Sequence, residues 1–249
     1  DNPYLMQTDD YLIMLSSLPE VQRKQFLEGD WSAFENSAFP EFSLTTHVVQ
    51  PFDIPRNWLR FRTCDWGYST AACVLWIAVD FDNNFWVYRE YYTKRVTADI
   101  FAKQVLEREQ DEYIRYGILD SSTWARRGDA GPSIAETMIR EGCKWRPSDR
   151  SPRSRVAGKL ELHKQLALDK DTNQPKLKIF SNCINLIKTL PMLPVDKHNP
   201  EDVDTHAEDH AYDALRYGVM SRSVHPNSHQ ANRYIEKEQF KPADRVFGY

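Results

Sequence analysis

No stretch of this chain is long and apolar enough to cross a bilayer as a helix. The longest apolar run, Ala71 to Val79, covers nine residues, against the roughly 20 that such a span needs, so no membrane partner is expected. Cysteine is scarce: Cys64, Cys73, Cys143 and Cys183 are the only four, and no two form a Cys-x-x-Cys pair. That spacing argues against a structural zinc site. Three of the four stand in apolar surroundings, where free cysteine behaves as a small buried hydrophobe in a reducing, cytoplasmic setting. The opening Asp1-Asn2-Pro3 is neither a signal peptide nor a natural start, and the chain reads as a piece of a longer, non-secreted protein. No Gly-x-x-x-x-Gly-Lys-Ser/Thr loop occurs, so no ATP site is expected. A large charge excess is missing too: the net charge of −4 argues against wholesale binding of a polyanion.

What is present is enough for one large α/β domain. The chain has 249 residues, 41% hydrophobic and 12% aromatic, which suits a globular core rather than disorder. Phe61, Thr63 and Asp65 share one face of a first strand by the two-residue period of β structure. Ala71 to Val79 is a continuous apolar strand of the kind covered on both faces. Asp80 to Asn84 is a turn, and the aromatic run Phe85 to Tyr92 is a third strand. Connections this short predict an antiparallel meander. A helix with Ala98, Phe101, Ala102 and Val105 on its buried face follows, then a strand over Arg115 to Asp120. A helix between two strands implies parallel pairing. Ser133-Ile-Ala-Glu136 is a capping box for a short helix ended by Gly142. A brief strand over Cys143 to Arg146, a helix over Arg153 to Leu168, a strand-like run over Lys176 to Phe180, and helices over Asn182 to Leu190 and His206 to Met220 complete the order. The expectation is a mixed five-stranded sheet, an antiparallel meander plus parallel strands, flanked by helices. Residues 1–57 read as a helical and loop-like lead-in, 58–222 as the domain, and 223–249 as a polar tail.

Three aspartates stand out. Asp65 closes the first strand, Asp120 closes the fourth, and Asp213 lies in the last helical segment. Parallel neighbouring strands would set Asp65 and Asp120 side by side at a carboxyl edge, where open α/β sheets build sites. On a helical wheel, at about 100° per residue, His206, Asp209, His210, Asp213 and Tyr217 fall on one side. Ala207, Ala211, Ala214, Leu215 and Gly218 form the adjoining stripe, small enough for close approach to the sheet. Crowded carboxylates suit hard cations such as Mg²⁺ or Mn²⁺. Two of these about 4 Å apart can activate a water and stabilise a leaving oxygen on a phosphodiester. His210 could tune a ligand or assist proton transfer. Taken singly, each residue has a plainer reading: an aspartate at a strand end is most often a turn former or helix cap. Glu90 could be a further ligand, but a surface role fits it better. From Lys144 to Lys159 there are six basic residues and one acid, and from Asp196 to Asp213 seven acids and one lysine. Arg126, Arg127, Lys144, Arg146, Arg150, Arg153, Arg155 and Lys159 are therefore candidates for contact with a phosphate backbone; the alternative is ordinary solvated surface.

The order of Cys64-Asp65-Trp66-Gly67, Leu119-Asp120 and Asp209-His210-Ala-Tyr-Asp213-Ala-Leu-Arg-Tyr-Gly218 resembles the nuclease domain of the large terminase subunit of tailed double-stranded DNA bacteriophages. The segment from Leu18-Pro19 to Gly29-Asp30-Trp31 resembles the join that follows the motor domain there, so that 1–57 would be linker and the end of that motor domain. The resemblance covers roughly residues 1 to 222, and its last motif is the most specific part. It implies a ribonuclease H-like fold and a two-metal endonuclease that cuts concatemeric viral DNA during genome packaging in the host cytoplasm. It also implies an ATPase motor, a small terminase subunit and a portal protein as partners. Asp65, Asp120 and Asp213 match the family's acidic triad, His210 matches a histidine of some members, and Asp209 is an additional candidate ligand. Two other readings keep much of the same evidence: a junction resolvase or transposase-type enzyme, and a non-catalytic module that docks on portal or DNA.

Overall fold

The computed structural model of the chain describes residues 37–126 and 131–222. Seven strands form one sheet: β1 (Val48–Val49), β2 (Leu59–Asp65), β3 (Ala72–Val79), β4 (Phe85–Thr93), β5 (Gly117–Leu119), β6 (Arg146–Pro147) and β7 (Leu177–Phe180). Their order across the sheet is β1-β7-β4-β3-β2-β5-β6. β3 runs antiparallel to β2 and β4, and every other pairing is parallel. Six strands therefore end on one rim. The helices are α1 (Leu44–His47), α2 (Ala98–Glu109), α3 (Ile134–Arg140), α4 (Ser154–Leu166), α5 (Ile184–Thr189) and α6 (His210–Met220).

The meander forms where alternation and turn chemistry place it. All eight residues of β3 are buried, as a strand covered on both faces requires. The Asp80 carboxylate closes the following turn by accepting from the Asp82 and Asn84 amides (2.9 and 2.8 Å), and Asn83 takes the left-handed conformation (φ 60°) that Asn tolerates. β5 pairs parallel with β2, matching Cys64 to Leu119. The Ser133–Glu136 capping box opens α3 with both reciprocal bonds in place.

Four expectations are corrected. The sheet has seven strands, not five: β1 is a two-residue edge strand that carries no periodic signal, and the strand-like run over Lys176 to Phe180 joins the sheet as β7. The strand expected over Cys143 to Arg146 is Arg146–Pro147; Cys143 and Trp145 are buried on the approach to it. The last helix starts at His210, not His206, so His206 is off the helix and exposed beside Asp204. Finally, the described part of the expected lead-in, 37–57, joins the core: Ala38 and Phe39 are buried, the Ala38 amide donates to the Leu193 carbonyl (2.7 Å), and β1 pairs with β7; residues 1–36 lie outside the described residues. The expected tail, 223–249, lies outside the described residues.

The two faces of β2 bury different chemistry. On one face α6 lies across β2 and β3, with α4 and α5 against it. Close approach there depends on Gly218: a Cβ on it would stand 2.6 Å from Ile77 Cδ1 and 3.1 Å from Thr63 Cγ2. Gly218→Ala is expected to destabilise the protein by about 1–3 kcal/mol through overpacking, read as a lower urea midpoint. On the other face Arg62 Nη1 donates to both oxygens of Glu109 (2.6 and 2.7 Å) and Nη2 donates to the Lys144 carbonyl (2.7 Å). Trp76 Nε1 donates to Glu109 as well (2.9 Å), and the guanidinium lies 4.4 Å from the Trp145 ring centroid. This buried network joins β2, β3, α2 and the segment entering β6.

Candidate active site at the carboxyl rim

Asp65 is the last residue of β2, and Asp120 directly follows β5. The Asp120 amide donates to the Cys64 carbonyl (3.0 Å), so the sheet ladder itself fixes the two carboxylates on adjacent strand ends. Asp120 also caps the 3₁₀ turn Ser121–Trp124, accepting from the Ser122 amide (3.1 Å) and from the Ser122 hydroxyl. The cap reading and the site reading thus hold for one residue together: the turn sets the carboxylate's orientation.

α6 delivers His210 to Asp65. His210 Nδ1 donates to Asp65 Oδ2 (2.9 Å), and Tyr217, two turns on along the same face, stands with its Oη 3.5 Å from Oδ1. The Asp65 side chain is 13% exposed. Burial pushes its carboxyl up to about 6; the bond from His210 pulls down, and the negative charges of Asp213 and Asp120 push up. The bond to Asp65 raises His210 above the ordinary imidazole value against burial, which lowers it. This hydrogen bond joins an imidazole to a carboxylate at the centre of the rim.

Asp209 and Asp213 have a different neighbour. Arg155, on α4, donates from Nη1 to both oxygens of Asp213 (3.1 and 3.0 Å) and from Nε to Asp202 (2.9 Å). Its Nη2 lies 3.7 Å from Asp209 Oδ2. Arg216 Nε and Nη2 each reach Asp213 Oδ1 at 2.9 Å. Burial, then the charge of Asp213, pushes the Asp209 carboxyl up to about 7. The helical wheel is corrected on this point: His210 and Tyr217 face Asp65, while Asp213 leans towards α4. Asp209, at the N-cap of α6, makes no capping bond from its side chain.

The donor set bears on the expected cations. Asp65, Asp120 and His210 offer oxygen and nitrogen donors, and the charged form of Asp65 is disfavoured first by burial and then by the charges of Asp213 and Asp120, a cost that a divalent cation would relieve. By donor type those residues suit one cation, although among the described residues no three His, Cys, Asp or Glu side chains already converge on one point. Asp209 and Asp213 are instead taken up by guanidinium partners. The second expected ion therefore does not fit this arrangement.

The basic candidates divide. Arg126, Lys144, Arg146, Arg150 and Arg153 are exposed, although Arg126 pairs with Glu136 (2.6 Å). Arg155 is committed to the acids, and Lys159 is buried, donating to the Pro200 and Asp202 carbonyls (both 3.2 Å). Neither is free for phosphate. Arg127 lies outside the described residues. Glu90 is half-buried rather than a surface residue. It caps α5, accepting from the Asn185 and Leu186 amides (3.0 and 2.7 Å). Lys94 and Arg95 were not singled out from the sequence. They follow β4 on the same rim as Asp65, both exposed, without an ion-pair partner among the described residues, and beside Tyr68, which is 52% exposed. The Arg95 amide donates to the Tyr68 carbonyl (2.9 Å). Their signal was positional: they are the first cations after a strand that proves parallel to β2.

Solved structures share this architecture. The nuclease domain of the phage P22 large terminase matches with a TM-score of 0.61 at 17% identity, covering 76% of this chain and 93% of that one. The chain has the fold of a phage large-terminase nuclease domain. That terminase-nuclease fold, ribonuclease H-like, also matches the large terminase nuclease of thermophilic phage G20c with bound cobalt (TM-score 0.53, 12% identity, 75% of this chain and 97% of that one). It matches the large terminase of a second thermophilic bacteriophage as well (TM-score 0.61, 16% identity, 86% of this chain and 53% of that one). The chain thus spans about half of that last protein. No family model and no curated protein matches it.

Proposed function

We propose that the chain is a divalent-cation-dependent endonuclease that cuts double-stranded viral DNA during genome packaging. The observation that carries this reading is the meeting of Asp65, Asp120 and His210 at one rim of a terminase-nuclease fold, from positions 55 and 145 residues apart in sequence from Asp65 (120 − 65 and 210 − 65). Asp65 and Asp120 would hold the cation, Mg²⁺ or Mn²⁺ by donor chemistry, with His210 beside them. The chemistry supplied there would be Lewis acidity towards a phosphodiester oxygen and activation of water. The chain's own residues do the rest. His210 orients Asp65 and holds the proton on Nδ1, the Ser122 bonds fix Asp120, and the buried wall of α6 excludes water behind them. An ATPase motor, a small terminase subunit and a portal are the partners this function calls for. The G20c nuclease with bound cobalt supports a cation requirement.

The test is cleavage of linear and supercoiled duplex by the purified chain with Mn²⁺ and with chelator. Metal-dependent cutting without junction preference is expected. Strict preference for four-way junctions would favour a resolvase, and no cutting at high enzyme and Mn²⁺ would favour a docking module.

DNA would approach over two cationic shoulders, one on the β6 side (Lys144, Arg146, Arg150, Arg153) and one on the β4 side (Lys94, Arg95). Arg150→Ala is expected to lower the slope of log affinity against log salt by about 0.9, the loss of one phosphate contact. Lys159→Ala should leave that slope unchanged. Filter binding across a salt series separates the two.

A further inference from the structure

We infer that Arg155 is the resident cation of the helix side of this site, a positioning residue that stands where a second metal ion would otherwise be needed, so that the chain binds one exchangeable divalent cation rather than two. This rests on the nuclease reading and adds to it a stoichiometry and a residue. Three aspartates, Asp202, Asp209 and Asp213, have side chains only 10–14% exposed. Buried negative charges at this density need compensation. The Arg155 guanidinium meets all three at once, through Nε, Nη1 and Nη2. Arg216 adds a second cation on Asp213 from the far side, and Gly158 makes room for it: a Cβ there would fall 2.5 Å from Arg216 Cγ.

The geometry favours a guanidinium over a metal for two reasons. Three differently directed nitrogens serve three separate carboxylates, Nη1 on both oxygens of Asp213, Nε on Asp202 and Nη2 facing Asp209, which suits a planar guanidinium with donors fixed in direction. A cation entering between Asp209 and Asp213 would meet Arg155 at Coulombic contact, and two like charges there repel. The same neutralisation leaves Asp65 and Asp120 as the acids on the rim without a guanidinium partner among the described residues. Arg155 also links α4, the loop carrying Asp202 and the start of α6, so the last helix is held in the orientation that aims His210 at Asp65.

The experiment is Mn²⁺ titration of the full chain by calorimetry, with electron paramagnetic resonance to count bound ions, on wild type, Arg155→Gln, Arg155→Lys, Asp213→Asn and Asp65→Asn. Wild type is expected to bind one ion, Arg155→Gln two, and Arg155→Lys one, since lysine keeps the charge. Asp213→Asn should retain the single ion with unchanged affinity. Two comparable ions on wild type would overturn the inference, as would a folded Arg155→Gln that still binds one. Should Arg155→Gln not fold, the Asp213→Asn result decides, because loss of the ion there makes Asp213 a ligand. The nuclease reading fails separately, if no ion is lost on Asp65→Asn.

Discussion

Asp65→Ala is expected to abolish Mn²⁺-dependent DNA cleavage while leaving the fold intact. Removing a partner one shell away from a metal costs about 10–100-fold in affinity or activity, and losing a direct ligand should exceed that. Asp65 is also the acceptor for His210, so its removal takes away the group that orients the imidazole. The fold should survive because the Asp65 side chain is at the rim, and its carboxyl is already disfavoured by burial. Its truncation relieves an unfavourable charge instead of opening the core. Cleavage of supercoiled plasmid under single-turnover conditions, with far-UV circular dichroism and a urea curve beside it, separates loss of chemistry from loss of structure. Full activity in a folded Asp65→Ala protein would end the nuclease reading. His210→Ala should be milder, because the carboxylates remain.

The largest effect on stability is expected at the opposite face of the same strand. Arg62→Met leaves Glu109 buried with only Trp76 Nε1 as donor. Breaking a buried pair by removing one partner costs roughly 3–5 kcal/mol, because the remaining charge has no compensation. The double variant Arg62→Met/Glu109→Leu should recover much of that loss, since replacing both partners by apolar groups is often neutral. A double-mutant cycle on urea midpoints gives the coupling energy. An additive double variant, twice as unstable as either single one, would show that the pair does not act as a unit. This network also fixes β6, because Arg62 holds the Lys144 carbonyl. Its loss should therefore loosen the basic shoulder before the sheet centre.

The parts of this fold that were legible in the sequence are the parts whose cause is local. The β2–β3–β4 meander is written in alternation, an apolar run and an Asp/Asn turn, and the α3 cap in Ser133 and Glu136. β5 follows from the rule that a helix between strands makes them parallel. β1 was missed and β6 misplaced because two residues carry no period, and their pairing depends on the rest of the sheet being present. The His206 start was missed because the wheel counts spacing, while Asp204 fixes a turn by accepting from the His206 amide (2.9 Å). For the site, strand direction placed Asp65 beside Asp120, and the wheel placed His210 and Tyr217 towards the sheet. The fate of Asp213 was not legible. Arg155 is 58 residues away from it (213 − 155) and 47 from Asp202 (202 − 155), and in the sequence it looks like any other member of a basic run. Only the packing of α4 against α6 separates it from Arg150 and Arg153.

Because all strands but β3 finish on one rim, the molecule separates durable interior from editable border. Asp65 ends one of those strands, and Lys94, Arg95, Asp120 and Arg150 follow others in connections that carry little of the hydrophobic load. The chemistry of that border can thus be rewritten by exchanging a few of these connecting segments, with the barrier to unfolding left to the buried strands at the sheet centre.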